Sequence, residues 1–110
     1  MKYYSTNKQA PLATLEEAVV KGLAGDKGLY MPERIVRLDE ATIKNMKNQS
    51  FHEIACTVAQ AFFGEDIETE TLNEIVKDTL SFETPVVNVS ENIYSLELFH
   101  GPTLAFKDVG

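Results

Sequence analysis

Tryptophan is absent from this sequence and cysteine occurs once. A single cysteine, Cys56, excludes an intrachain disulfide and cannot seed a cysteine-based zinc site. Histidine is nearly as scarce, with only His52 and His100, so no metal centre is expected. Positive charge is also in short supply. Lys and Arg total 10 against 17 Asp and Glu, a formal net charge of -7. An acidic chain repels phosphate backbones and anionic lipid surfaces, which argues against nucleic-acid and membrane partners. No apolar run approaches the ~20 residues that span a bilayer. The opening MKYYSTNKQAP has no apolar segment behind its early lysine, and the default expectation is a cytoplasmic location. Internal repeats and low-complexity tracts are missing as well.

What is present suits a small folded unit. The chain has 110 residues, 44% of them apolar and 25% charged, which allows one modest core. KYYS reads as a short strand. A helix follows, with Thr14 as its N-cap, Glu17 completing a capping box, Leu15, Ala18 and Val19 on one face and Gly22 as its stop. Gly25, Gly28 and Pro32 mark turns in AGDKGLYMPE. A weaker surface helix opens at Asp39. The clearest helix runs from the Ser50/Glu53 capping pair to Gly64, with Phe51, Ile54, Ala55, Val58 and Phe62 at helical spacing. Cys56 lies on this helix and reads as a small, half-buried side chain rather than a nucleophile. The acidic GEDIETE reads as a solvated loop and helix start. The next helix has Thr71 and Glu74 as a possible capping box and Leu72, Ile75, Val76 and Leu80 as its stripe. These last two stripes are expected to pack on each other.

The character changes at residue 85. Val86–Val89 and Ile93–Phe99 read as two strands across a tight SEN turn. HGPT is a Gly-Pro turn, and LAFKDVG reads as the start of a helix. The expected fold class is α+β: a helix-rich domain with short strands over 1–85, and the opening of a second, α/β domain over 86–110.

Lys107 is the residue with the most chemical interest. A lysine at a helix N-terminus meets the positive end of the dipole, and packing against Leu104 and Phe106 would strip its water. Both effects favour a neutral amine, the form that attacks an aldehyde. The plain alternative is a solvated lysine.

The segment LELFHGPTLAFKD, 13 consecutive residues ending at Asp108, closely resembles the lysine segment of threonine synthases, enzymes of the pyridoxal-phosphate fold-type II group. GLAGDKGLYMPE (22–33) resembles a second signature of that family's N-terminal domain, and YYSTN its usual start. The motifs occur in the family's order. The resemblance implies that Lys107 carries pyridoxal 5'-phosphate through its amine, flanked by Phe106 and Asp108 as cofactor-binding residues. It also implies conversion of O-phospho-L-homoserine and water into L-threonine and phosphate, with Lys107 as catalytic acid and base. His100 and Thr103 are candidate substrate contacts; equally, His100 steadies the turn and Thr103 caps the Lys107 helix. Asp108 reads as a first-turn carboxylate and Phe106 as wall. Tyr3, Ser5 and Thr6 are candidates for the mouth of the site, with a plain edge strand the stronger reading, and Lys27 reads as solvated.

The family also needs a glycine-rich loop for the cofactor phosphate and a partner for the pyridine nitrogen. Neither motif occurs in these 110 residues. The expectation is therefore an N-terminal fragment, inactive alone, whose partner is the remainder of the same polypeptide. Three alternatives remain: a threonine-synthase-like phospho-lyase, another fold-type II enzyme, or a non-catalytic packing domain.

Overall fold

The computed structural model describes residues 1–109. The chain divides by compactness into two units, Met1–Glu74 and the residues from Ile75 onward.

In the first unit β1 (Tyr3–Ser5) pairs antiparallel with β2 (Tyr30–Pro32), placing Tyr3 opposite Pro32 and Ser5 opposite Tyr30. β1 is where the sequence places a strand. β2 lies within a stretch that reads as turns, because Gly28 and Pro32 punctuate it. Proline is tolerated there because β2 is an edge strand whose outer side needs no donor. Tyr3 also exchanges two backbone bonds with Ala13, at 3.0 and 2.9 Å. Tyr3, Ala13 and Ala24 are buried around this small sheet, and Ser5 is completely buried.

α1 (Leu15–Lys21) begins where its cap predicts. The Glu17 N–H donates to Thr14 Oγ1, and the Thr14 N–H donates to the Glu17 carboxylate. Gly22 closes the helix at φ 67°, a left-handed conformation that glycine adopts without steric cost. Val19, expected on the inner face, is instead 71% exposed. α2 (Glu40–Asn45) is capped by Asp39 and tightens into a single 3-10 turn, Met46–Asn48. α3 (Phe51–Phe63) carries the expected reciprocal Ser50/Glu53 box and ends at Gly64. Ile54, Ala55, Cys56 and Phe62 are half-buried on it, while Phe51 and Val58 face solvent.

α4 (Thr69–Thr79) starts earlier than its sequence suggests. Thr71 lies inside the first turn and caps nothing, because the Leu72 N–H already bonds to the Glu68 carbonyl. Leu72 and Val76 of its stripe are buried, but Ile75 is exposed. Two carboxylates of the acidic run, Glu65 and Asp66, hold the Met1 ammonium at 3.0 Å each, and Glu65 also pairs with Arg34. These bonds raise the pKa of the amine, the Glu65 bond contributing most. No helix among the described residues is long and apolar enough to cross a membrane.

The second unit carries the hairpin β3 (Val86–Ser90) and β4 (Ile93–Leu96). Ser90 pairs with Ile93 across a turn in which Asn92 has φ 60°, and a bulge falls between Asn88 and Ser90. β4 ends at Leu96, before the expected Phe99, although the Glu97 N–H still bonds to the Pro85 carbonyl. Beyond it the expected helix start is a three-residue 3-10 turn, Phe106–Asp108, entered through an extended Ala105.

Candidate functional site

The candidate residues of the second unit lie in one loop, His100 to Asp108, just past β4. Its conformation follows from a few local bonds. Gly101 is buried and its carbonyl accepts the Leu104 N–H at 3.0 Å. Leu104 takes φ 55°, an uncommon value for a residue with a branched side chain. The chain thereby reverses, and Asp108 returns to Thr103. The Thr103 N–H donates to Asp108 Oδ2 at 2.9 Å, and the Thr103 hydroxyl donates to Oδ1 at 2.7 Å. The hydroxyl bond, followed by the backbone bonds of Thr103 and Ala105 and the charge of Lys107, holds the Asp108 carboxyl below its usual pKa.

Two expectations are corrected by this geometry. Thr103 does not cap a helix, since it donates to a side chain and accepts no helical N–H. The two features from which the sequence argues for a neutral Lys107, an α-helix start and apolar cover, are both absent from the described residues. The turn is only three residues long, and Leu104 and Phe106 are 77% and 74% exposed. Lys107 itself is exposed, next to the half-buried Asp108.

His100 is anchored from behind. Its Nε2 lies 2.6 Å from Oε2 of Glu97, and its ring stacks on Phe99 with centroids 4.6 Å apart. A carboxylate only accepts, so this contact places a proton on Nε2. Glu97 escaped the sequence reading, although a Glu three residues before a His is a legible pair. The Thr103–Asp108 bonds left no such trace, because five residues match no helical or strand period.

The first unit uses its candidates structurally. The Ser5 hydroxyl donates to Asp26 Oδ1 at 2.6 Å, joined there by the Gly28 N–H at 3.0 Å. Oδ2 of Asp26 accepts the N–H groups of Gln9 and Ala10, both at 2.9 Å. Four donors on one carboxylate, the Ser5 hydroxyl foremost, lower its pKa to about 2. Asp26 was not singled out in the sequence; only the GDKG turn around it was. The Thr6 hydroxyl accepts the Leu29 N–H. Tyr3 is buried with a hydroxyl that has no hydrogen-bond partner among the described residues. Ser5 and Tyr3 thus belong to the paired strand, and Lys27 is exposed at φ 67°. An open apolar groove of about 350 Å³ lies between α1, β2 and Phe63.

Comparison with known proteins supplies a family. The family model described as the threonine synthase N terminus matches residues 2–80. The threonine synthase of Escherichia coli is 36% identical over 110 residues, covering 100% of this chain and 26% of that protein. The threonine synthase of Saccharomyces cerevisiae is 40% identical over 119 residues, covering 97% and 23%. Among solved structures, the crystal structure of the Escherichia coli threonine synthase superposes with a TM-score of 0.88 at 36% identity, over 98% of this chain and 25% of that one. A PLP-bound threonine synthase from Brucella melitensis gives 0.88 at 38% identity, over 99% and 25%. The chain thus spans about a quarter of the length of the relatives it matches.

Proposed function

The chain belongs to the threonine synthase family, and we propose that the protein to which it contributes is a pyridoxal-phosphate-dependent threonine synthase. It converts O-phospho-L-homoserine and water into L-threonine and phosphate, as a carbon–oxygen lyase acting on a phosphate ester. The observation that carries this reading is the likeness to a PLP-bound threonine synthase over 99% of the chain, a span that includes the Lys107 loop. Residues 1–85 are proposed as the N-terminal domain and 86–110 as the opening of the cofactor domain. A cytoplasmic location accords with a small-molecule substrate.

The residues present fit one end of the cofactor. Lys107 offers an exposed primary amine on a loop whose backbone is tied down at Thr103 and Asp108. When bound, the cofactor supplies an aldehyde that condenses with an amine and a ring that takes up electron density from the substrate carbons. Lys107 is proposed to hold it and, once the substrate amine has taken its place, to accept and return protons at the α and β carbons. Phosphate departs from the γ carbon and water adds at the β carbon. Phe106, largely exposed here, is proposed as a wall beside the ring. His100 and Thr103 are proposed to face the substrate. The Thr103 hydroxyl hydrogen is committed to Asp108, which leaves its oxygen free to accept. The cofactor phosphate and ring nitrogen need partners from elsewhere in the protein, so residues 1–110 alone are proposed to be inactive.

The test supplies the full-length protein with pyridoxal phosphate and O-phospho-L-homoserine, and quantifies threonine and phosphate together. Equal yields of both, lost in Lys107→Ala, are expected. Phosphate without threonine would point to a phospho-lyase, and threonine formed by Lys107→Ala at a comparable rate would remove Lys107 from the chemistry.

A further inference from the structure

The carboxylate next to Lys107 in the chain is turned back into the loop. Asp108 accepts twice from Thr103, at 2.9 and 2.7 Å, and these bonds close a ring of backbone around Leu104, Ala105, Phe106 and Lys107. Gly101 is part of the same device. A Cβ built on it would lie 2.6 Å from both Cβ and Oδ2 of Asp108 and 2.9 Å from Cγ. Real Cβ atoms do not approach so closely, so any side chain at position 101 displaces the carboxylate. The Leu104 bond to the Gly101 carbonyl completes the turn.

Resting on the reading of Lys107 above, we propose that Thr103 and Asp108 form a clasp that positions Lys107, with Gly101 providing the space in which it closes. Thr103 and Asp108 are positioning residues: they act on the lysine's backbone and leave its stem free. That division suits a lysine with two tasks. A fixed Cα sets where the amine arrives for attachment, and a mobile stem lets the released amine reach different carbons of a substrate. Both clasp bonds end on an ionised carboxylate, and charge-assisted bonds are roughly twice as strong as neutral ones. The low pKa of Asp108 keeps them in force at neutral pH.

The experiment uses the full-length protein and two readouts that do not depend on turnover. Amide hydrogen exchange of residues 103–109 is followed in cofactor-free protein. Attachment is followed by adding pyridoxal phosphate, reducing with borohydride and measuring by mass spectrometry the rate at which Lys107 is modified. Thr103→Val and Gly101→Ala are expected to speed exchange in the loop and slow attachment at Lys107 by about tenfold, the factor set by ~1.4 kcal/mol of lost hydrogen bonding. Thr103→Ser keeps both donors and is expected to show wild-type amide exchange in the loop and wild-type attachment at Lys107. Thermal melts identify a variant that fails to fold; Thr103→Ser and Asp108→Asn then still compare intact and weakened clasps. Unchanged exchange and attachment in Thr103→Val would overturn the proposal. If wild-type protein attaches no cofactor at Lys107, the reading of the function fails instead, and exchange alone decides whether the clasp orders the loop.

Discussion

A Cβ placed on Gly28 would lie 2.1 Å from the Ser5 hydroxyl oxygen and 2.9 Å from the Asn7 backbone nitrogen. Ser5 is completely buried and already bonded to Asp26, so it cannot swing aside. Gly28 is therefore fixed by space rather than by backbone angle. Gly28→Ala is expected to destabilise the protein by about 1–3 kcal/mol, the usual cost of overpacking. Urea denaturation measures it, and an unchanged midpoint would mean that β1 and the 24–28 turn can separate freely.

Asp26 makes the same junction sensitive to acid. Its folded-state pKa falls from 3.8 to about 2. A depressed carboxylate contributes stability that is fully present above its unfolded pKa and is lost as pH falls through the folded value. The loss attributable to Asp26 is expected between about pH 4 and pH 2. Urea midpoints followed over that window should fall more steeply in wild type than in Asp26→Asn, which cannot titrate. Parallel curves would show that Asp26 is not the group responsible.

The capping boxes were legible because a cap is written within four residues. Thr14/Glu17 and Ser50/Glu53 both form reciprocal bonds as their spacing implies. Ser50→Ala is expected to cost about 1 kcal/mol, the typical loss of a serine cap. Thr71→Ala should cost far less, since Thr71 sits past the start of α4. Equal losses in the two variants, measured by thermal unfolding, would contradict the observed helix starts.

Helical periodicity told less about burial than about helix existence. Leu72, Ile75 and Val76 share one sequence stripe, yet Leu72 is 2% exposed and Ile75 48%. Spacing gives the face of a helix; only the packed neighbours decide which edge of that face is covered. Leu72→Ala is expected to lose about 2–5 kcal/mol. Ile75→Ala should lose much less, because half of its side chain is already in water. β2 and the Asp26 junction were illegible for a related reason. Both are made by partners 16–29 residues apart in sequence, and no local pattern records such a pairing.

The Lys107 loop was found through its resemblance to a family, and its conformation was not. LAFKD has the composition of a helix start, but Leu104 at φ 55° turns the chain before a helix can form. A left-handed residue other than glycine costs about 1–2 kcal/mol, and with 77% of Leu104 exposed little burial offsets it. The bonds between Thr103 and Asp108 do offset it, because they close only if the chain reverses at this point. Leu104→Gly is expected to change stability by only ~0.5 kcal/mol, since relief of the backbone is opposed by the greater freedom of glycine when unfolded. Leu104→Val has no such relief, and branching at Cβ makes this conformation costlier. It is expected to loosen the loop, seen as faster amide exchange at residues 103–109. Equal exchange in the Gly and Val variants would show that the turn at Leu104 is not what brings Asp108 back to Thr103.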